Sequence, residues 1–291
     1  MKRFLAAAMA IILAFGLFSA TAFALEEGDS RVTIGADLTE EQKAQIYKDF
    51  GLTAGQVQEI IVTNKDERAY LEGVAPEKKI GSVALSCCYI TILKEGSGLQ
   101  ITTSNINWCT SEMYINALTT AGITDAKVMV SAPFPVSGTA ALTGVYKAYE
   151  EITGQSLSEI AKAVGVEELI TTGDLAEYIG SSEATQIINE LKNILDQTQT
   201  MTDDEVRGEI KRIAQAYNVS LTDEQVDQLL KLCRSLEKLD VDALKDKLVS
   251  LANSMQNAQN VATTITKIGE SIKSFFNSVG AFFARIFGGG K

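Results

Sequence analysis

Residues 82–107, with the sequence SVALSCCYITILKEGSGLQITTSNIN, decide how the first half of this chain is expected to fold. Two runs rich in β-branched and aromatic residues, Ser82 to Leu93 and Leu99 to Asn107, flank the segment KEGSG at residues 94–98. Such runs on either side of a glycine-containing turn are typical of a β-hairpin. The stretch therefore predicts two antiparallel strands joined by a turn centred on Gly96.

The segments around this hairpin carry alternating strand and helix patterns. A strand is predicted at residues 58–63 and a short helix follows it to about Leu71, while residues 110–121 predict a helix and residues 126–131 a strand. The resulting order is strand, helix, strand, strand, helix, strand, which is the order of a ferredoxin-like split βαβ sheet. We therefore expect an α+β domain over residues 25–180.

The rest of the chain predicts an all-helical C-terminal region. No proline occurs after residue 180, and two capping boxes, Thr202 to Glu205 and Thr222 to Gln225, each precede an apolar helical stripe. Residues 181–240 are therefore expected to form a helical hairpin region. Residues 241–291 repeat apolar residues in steps of four and three, which predicts a long amphipathic arm. A break near Gly269 into two shorter helices is an equally open alternative.

Residues 1–24 are typical of a cleavable secretory signal peptide. Lys2 and Arg3 provide a positive start, residues 4–18 form an apolar run, and Ala22 and Ala24 give the small-x-small motif that a signal peptidase cleaves after. The run is shorter than the roughly 20 apolar residues that span a bilayer, which argues against a retained anchor. We expect a secreted, extracellular protein that can associate with the cell envelope.

Composition narrows the possible classes of function. Acidic residues number 37 and basic residues 26, which gives a formal net charge of −11 and disfavours nucleic acid as a partner. The chain contains no histidine, so Ser-His-Asp and Cys-His catalysis and imidazole-based zinc sites are excluded. Its carboxylates form no recognisable set, and we predict no catalytic residues, no metal site and no cofactor.

The four cysteines are expected to be free thiols packed in the core. Cys87 and Cys88 are adjacent in a predicted strand, so their side chains point to opposite faces. In the predicted hairpin Cys109 lies about 13 Å along the sheet from Cys87, which is too far for a disulfide bond. Cys233 falls on an apolar helical stripe and is also predicted to be a core residue.

One segment is a candidate site for a small anion or a peptide. Ser137, Gly138 and Thr139 begin a predicted helix directly after a strand, and their backbone N–H groups could face a carboxylate or a phosphate. The alternative is structural: Ser137 is an N-cap, and the small residues that follow let the helix pack close to the sheet.

A second segment is a candidate partner surface at the C-terminus. Residues 269–287 predict a helix with a broad apolar face and few charges, and this face could bind a partner protein, mediate self-association or lie on a membrane surface. Its aromatic residues are Phe275, Phe276, Phe282, Phe283 and Phe287.

Four segments resemble the exported bacterial proteins of the domain of unknown function 1002 family, the YpuA-like proteins. They are VTIGADLTEEQ at residues 32–42, VTNKDERAYLEG at 62–73, residues 126–144 with the core PFPVSGTAALTG, and LTDEQ at 221–225. The resemblance covers about Arg31 to Leu251 and does not include the cysteines. It implies an exported protein, typically of Gram-positive bacteria, and it carries over no activity, cofactor or catalytic residue.

The sequence therefore favours an exported cell-envelope protein with a non-enzymatic interaction or structural role. Its partner is expected to be another protein or a second copy of the chain, contacted through the C-terminal helix. Two alternatives stay open: a small-anion or peptide-binding protein that uses Ser137 to Thr139, and a histidine-free hydrolase of unfamiliar design.

Overall fold

The computed structural model describes residues 27–262, and a five-stranded mixed sheet lies at its centre. The strands are β1 (Ser30–Gly35), β2 (Glu59–Val62), β3 (Cys87–Ile92), β4 (Leu99–Ile106) and β5 (Ala126–Val136). Their order across the sheet is β2-β1-β3-β5-β4. The pairs β1–β2 and β4–β5 are parallel, whereas β3 is antiparallel to both β1 and β5. All strands except β3 therefore run in one direction.

The predicted hairpin is wrong, because β5 lies between β3 and β4 and β4 pairs in parallel with β5. The physical reason is burial. Val128 and Val130 of β5 are each only 1% exposed, so this strand takes a central position, while β4 exposes every second side chain and lies at the edge. The loop between β3 and β4 has positive φ angles at Gly96 and Gly98 and crosses over the end of β5.

The ferredoxin-like strand order is not the order of this sheet. β1, which precedes the six predicted elements in the chain, lies between β2 and β3 in the sheet. The two middle strands of the predicted order, β3 and β4, are not neighbours. The coarser prediction of a mixed α+β fold is confirmed. After β5, every element in the described part of the chain is a helix.

Helices cover both faces of the sheet. One face packs against α1 (Glu40–Asp49), which begins at the predicted capping box of Thr39, and its core includes Val32, Ile34 and Cys87. The opposite face packs against α4 (Ser111–Ala121) and α5 (Thr139–Thr153), and α6 (Glu159–Ile179) packs onto α4 and joins the same core. Two short helices, α2 (Asn64–Leu71) and α3 (Glu77–Ile80), lie between β2 and β3 in the chain.

A second hydrophobic core lies among the later helices. They are α7 (Ser181–Asn193), α8 (Leu195–Thr198), α9 (Asp203–Ala216), α10 (Asp223–Leu236) and α11 (Val241–Ala262). The capping boxes predicted at Thr202 and Thr222 are both present. Helix α6 contributes to both cores, with Leu169 in the core of the sheet and Leu175 in the helical core, so one continuous helix connects them.

The four cysteines are free and buried, as predicted. Cys87 and Cys88 belong to the cores on opposite faces of the sheet, in agreement with the alternation of a strand. The predicted separation of Cys109 from Cys87 depended on a hairpin that the sheet does not contain. Burial raises the pKa of Cys87, Cys88 and Cys109 to about 12, so these thiols stay protonated at neutral pH.

Two predicted segments lie outside the described residues. They are the signal peptide with its cleavage residues Ala22 and Ala24, and the Phe-rich helix with Phe275, Phe276, Phe282, Phe283 and Phe287. Among residues 27–262, none of the helices has the length and apolar character needed to cross a membrane.

Candidate functional site

The carboxyl ends of β1, β2, β4 and β5 lie at the same end of the sheet, because these strands share one direction. Ligand sites in open α/β sheets form outside the carboxyl ends of the strands. Helix α5 begins at this end, directly after β5, so the predicted residues Ser137, Gly138 and Thr139 lie where a site is expected. We call the polar residues gathered here the strand-end cluster: Glu67, Lys79, Ser86, Tyr114, Ser137 and Thr139.

Gly138 sets the geometry of the turn from β5 into α5. Its φ angle is 98°, in the left-handed region, and a Cβ atom built on it would lie 2.5 Å from the Tyr114 hydroxyl. The Gly138 carbonyl accepts a 2.5 Å hydrogen bond from that hydroxyl. Only glycine fits this position, both for its backbone conformation and for the close approach of Tyr114.

The N-cap of α5 is Gly138, and Ser137 does not cap the helix. This corrects the structural alternative considered for Ser137. The Ser137 hydroxyl lies 3.2 Å from the Thr139 hydroxyl but does not cap the backbone N–H groups of the first helical turn. The Ser137 hydroxyl donates instead to the backbone carbonyl of Lys79, at 2.9 Å.

Glu67, from α2, lies beside the first residue of α5. Its Oε1 atom accepts a 2.6 Å hydrogen bond from the Thr139 hydroxyl, and Asn64 Nδ2 lies 3.5 Å from its Oε2 atom. The side chains of Glu67 and Thr139 are buried, with exposures of 1% and 2%. Burial raises the pKa of Glu67 to about 7, because the loss of hydration outweighs the hydrogen bonds that favour the carboxylate.

Residues 72–86, which we call the strap, run across the strand-end cluster and include α3. The carbonyl of Lys79 lies 3.1 Å from the Thr139 hydroxyl and also accepts from Ser137. At the end of the strap, Ser86 Oγ accepts a 3.0 Å hydrogen bond from the backbone N–H of Ala141, in the first turn of α5. The strap thus supplies hydrogen-bond acceptors to the start of this helix.

Polar contacts attach the strap to the elements on both sides. Arg68 forms an ion pair with Glu77 and donates to the carbonyl of Gly81 at 2.8 Å. The backbone N–H of Ala84 donates to Asp37 Oδ2, after β1, at 2.7 Å. These contacts hold the strap against the ends of β1 and β2.

A third attachment of the strap is made by the side chain of Lys79. This side chain forms an ion pair with Glu177 of α6 and lies 4.3 Å from the ring centre of Trp108. The indole N–H of Trp108 donates to the same Glu177 carboxylate at 3.0 Å. The strap is therefore also held against α6, on the far side of the cluster from β2.

The cluster contains a hydroxyl beside a carboxyl group, which is the arrangement of a nucleophile and a general base. Two observations oppose that chemistry. Thr139 and Glu67 lie beneath the strap and are almost inaccessible to solvent, and the neighbouring Cys109 has its pKa raised to about 12, whereas a nucleophilic thiol needs a lowered pKa. The arrangement is suited to holding α5, α2 and the strap together.

Of the predicted site residues, the structure brings Ser137, Gly138 and Thr139 into this cluster. Sequence reasoning missed Glu67 and Lys79, their main partners. Glu67 and Thr139 are separated by 72 positions in the chain, and no spacing rule within a single sequence connects them. Among the described residues, no group of three or more potential ligands could hold a metal ion.

Three of the segments that carry the family resemblance meet at the strand-end cluster. Asp37 belongs to residues 32–42, Glu67 to residues 62–73, and Thr139 to residues 126–144. Asp37 contacts the strap through Ala84, and Glu67 bonds directly to Thr139. These segments therefore build one structural unit, although they lie far apart in the chain.

Comparison with known proteins identifies relatives whose function is not described. Residues 34–258 match the family described as "Protein of unknown function (DUF1002)". The chain is 38% identical over 260 residues to "Uncharacterized protein YpuA" of Bacillus subtilis (strain 168), an alignment that covers 89% of this chain and 87% of that protein. No solved structure shows a significant match.

Proposed function

Since the chain belongs to the DUF1002 family, whose function is unknown, we propose from its own residues that it is an exported cell-envelope protein with a structural or protein-binding role. It acts by contact with another protein or with a second copy of itself, and not by catalysis.

The observation that carries the proposal is the closed state of the strand-end cluster. The end of the sheet at which α/β proteins place their reactive groups is covered here by the strap. The hydroxyls of Ser137 and Thr139 and the N–H of Ala141 all bond to groups of the chain itself. A catalytic site needs a reactive atom that substrate can reach, and Thr139 is only 2% exposed.

Closure of the cluster also disfavours binding of a small anion at the start of α5. The carboxyl group of Glu67 lies beside Thr139, in the region that an external carboxylate or phosphate would have to enter. An additional anion would be placed next to a buried acid, which is electrostatically unfavourable whenever Glu67 is ionised. We therefore do not propose anion binding as the function.

Export is supported by the leader at residues 1–24, which combines a positive start, an apolar run and a small-x-small motif ending at Ala24. A binding role is supported by the apolar face that the sequence predicts for the C-terminal segment, whose phenylalanines are poorly suited to contact with water. The acidic composition of the chain favours a protein partner over nucleic acid.

Export is tested by expressing the full chain in a Gram-positive host and determining the N-terminus of the protein recovered outside the membrane. We expect the chain to begin at Leu25. The Ala24→Asp variant is the matched control, because an acidic side chain replaces the small residue at the cleavage motif, and it should remain uncleaved. Recovery of the chain inside the cell with its leader intact contradicts the proposal.

The binding role is tested by light scattering on the chain from Leu25 to Lys291 and on the same chain ending at Thr266. We expect the longer chain to form a larger oligomer than the shorter one, or to cross-link to an envelope protein in intact cells, and the shorter chain to lose that contact. A strict monomer without cross-links, unchanged by the truncation, argues against a binding role.

A further inference from the structure

The two edges of the sheet differ in their protection against pairing with another strand. At one edge, β2 has four residues, and Glu59 at its start forms an ion pair with Lys43 at 2.7 Å. Lys147 Nζ donates to the backbone carbonyl of Ile61 in the same strand, at 3.3 Å. Short length, charged side chains and a lysine at the backbone are features that prevent an edge strand from pairing.

The opposite edge strand, β4, has none of these features along most of its length. It has eight residues, LQITTSNI, with no charged residue and no proline. The exposed side chains on one of its faces are those of Gln100, Thr102 and Ser104. An irregularity at Asn105, which has a φ angle of 56° and bonds to the carbonyl of Ala132, ends the regular pairing with β5 after Ser104.

Within residues 27–262, β5 is the one strand that pairs with β4. The outer edge of β4 therefore presents backbone N–H and C=O groups that another extended strand can bond. In such strand addition, main-chain hydrogen bonds provide affinity and the alternating side chains provide specificity. Helix α11 contacts the start of β4 through Ser254 at Gly98, and residues 100, 102 and 104 remain exposed.

We propose that the outer edge of β4 pairs antiparallel with β4 of a second copy of this chain, so that the two sheets become continuous. This inference rests on the proposed binding role and adds to it a surface that does not involve the C-terminal segment, so the chain that ends at Thr266 should still pair through β4. Two-fold symmetry is the commonest arrangement of soluble oligomers, and it requires one self-complementary surface.

The register of this pairing follows from symmetry. A two-fold axis perpendicular to the sheet keeps the same face outward in both copies, so opposed residues must lie on the same face. An axis through Thr102 places the two Thr102 residues opposite each other and Gln100 opposite Ser104 of the second copy. Threonine pairs and other hydrogen-bonding pairs are favourable across neighbouring strands.

The neutral edge of β4 allows a second copy to approach despite the acidity of the chain. The chain is strongly acidic, and a partner surface of the same composition is generally repulsive. Self-pairing at β4 avoids this repulsion, because the strand is neutral and the adjacent charged residue, Lys127, lies on β5 in register with Gln100. The two β5 strands would be three strand spacings apart, about 14 Å, which exceeds the Debye length of about 8 Å at physiological salt.

Disulfide cross-linking tests the pairing in the chain from Leu25 to Lys291. The Thr102→Cys variant places one accessible thiol at the proposed axis, where opposed Cβ atoms lie about 5 Å apart. The matched control is Thr53→Cys. Thr53 is exposed in the loop between α1 and β2, and β2 is the edge strand opposite β4. The four native thiols are buried and contribute little background.

We expect the Thr102→Cys variant to form a covalent dimer under mild oxidation at least about tenfold faster than the Thr53→Cys variant at equal low concentration, since pairing raises the effective concentration of the thiols. Equal rates overturn the proposal. A second pair of variants tests it without oxidation: Thr102→Lys should convert the dimer to a monomer in light scattering, and Thr53→Lys should leave it dimeric.

The outcomes separate this inference from the binding role itself. If the wild-type chain self-associates and the Thr102 variants behave like their Thr53 controls, the β4 interface is wrong and the binding role stands. If the wild-type chain is a strict monomer, does not cross-link to envelope proteins and shows no preference for the Thr102 thiol, both proposals fail.

Discussion

The Thr139 hydroxyl lies 2.6 Å from Glu67 Oε1 and 3.1 Å from the carbonyl of Lys79, so one donor has two acceptors. When Glu67 is ionised, the short distance directs the proton of Thr139 toward the carboxylate. When Glu67 is protonated, it donates to Thr139, and the Thr139 hydroxyl is free to donate to Lys79 in the strap. The protonation state of Glu67 thus decides whether the Thr139 hydroxyl donates its proton to Glu67 or to the strap, while Glu67 and Thr139 stay hydrogen-bonded in both states.

The Glu67→Gln variant should change how stability depends on pH. Because burial raises the pKa of Glu67 from 4.5 to about 7, its contribution is fully present below pH 4.5 and is lost as the pH rises through 7. We expect the variant to lack this loss, and to gain stability relative to the wild type by up to about 3 kcal/mol between pH 4.5 and pH 8. Urea unfolding at both pH values measures the difference.

The Glu95→Gln variant provides the control for this measurement, because Glu95 is exposed in the turn before β4. Its stability should follow that of the wild type at both pH values. If the free energy of unfolding of the Glu67→Gln variant changes with pH in the same way as that of the wild type, the pKa of Glu67 is not raised by burial.

The strand-end cluster illustrates what a single sequence can and cannot predict. A helix start directly after a strand was recognisable at Ser137 to Thr139, because the small residues that follow the strand leave a local pattern. The partners of this helix start were not recognisable, since Glu67 resembles any solvated glutamate of a short helix. Its burial depends on the strap, which has no strong local pattern of its own.

The fold shows the same division between local and distant determinants. Helix starts at Thr39, Thr202 and Thr222 were predicted correctly, because a capping box is a local signal. The strand order was predicted wrongly, because adjacency in the chain favours a hairpin between β3 and β4. Burial decided otherwise: Val128 and Val130 of β5 are buried on one face and Met129 packs against the core on the other, whereas the polar alternation of β4 suits an edge.

A buried ion pair joins α6 to α7. Lys192 Nζ lies 2.5 Å from Glu168 Oε1, and both side chains are inaccessible to solvent. Burial lowers the pKa of Lys192, and the adjacent carboxylate partly offsets this effect. Removing one partner leaves the other buried without a counter-charge, so we expect Lys192→Met to destabilise the protein by about 3–5 kcal/mol.

Chemical denaturation of Lys192→Met and of the double variant Lys192→Met with Glu168→Gln measures this effect. The double variant should be more stable than the single one, since the amide carries no charge and its oxygen can still accept the hydrogen bond from Thr120. A double variant less stable than Lys192→Met contradicts the explanation by an unpaired buried charge.

The thiols of the native protein should react only slowly with thiol reagents. Burial raises the pKa of Cys87, Cys88 and Cys109 to about 12 and that of Cys233 to about 11. At pH 8 we expect native thiols with a pKa near 12 to react at least about a thousandfold more slowly than the same thiols in the unfolded chain. A disulfide-exchange reagent, applied with and without denaturant, counts the accessible thiols, and rapid labelling of the native chain argues against this burial.

Gly173 of α6 packs directly against Trp108, the only tryptophan of the chain. A Cβ atom built on Gly173 would lie 2.4 Å from Trp108 Cζ2, so Gly173→Ala must displace the indole ring. Displacement weakens the contacts of the ring with Lys79 and Glu177, which attach the strap to α6. We expect a loss of stability of about 1–3 kcal/mol and a red shift of tryptophan fluorescence.

The matched control is Gly208→Ala in α9, where an added Cβ meets no atom within 4 Å. That variant should gain up to about 1 kcal/mol from helix propensity, without a spectral shift. If both alanine variants are stabilised and their spectra stay unchanged, Trp108 does not pack on Gly173 in solution.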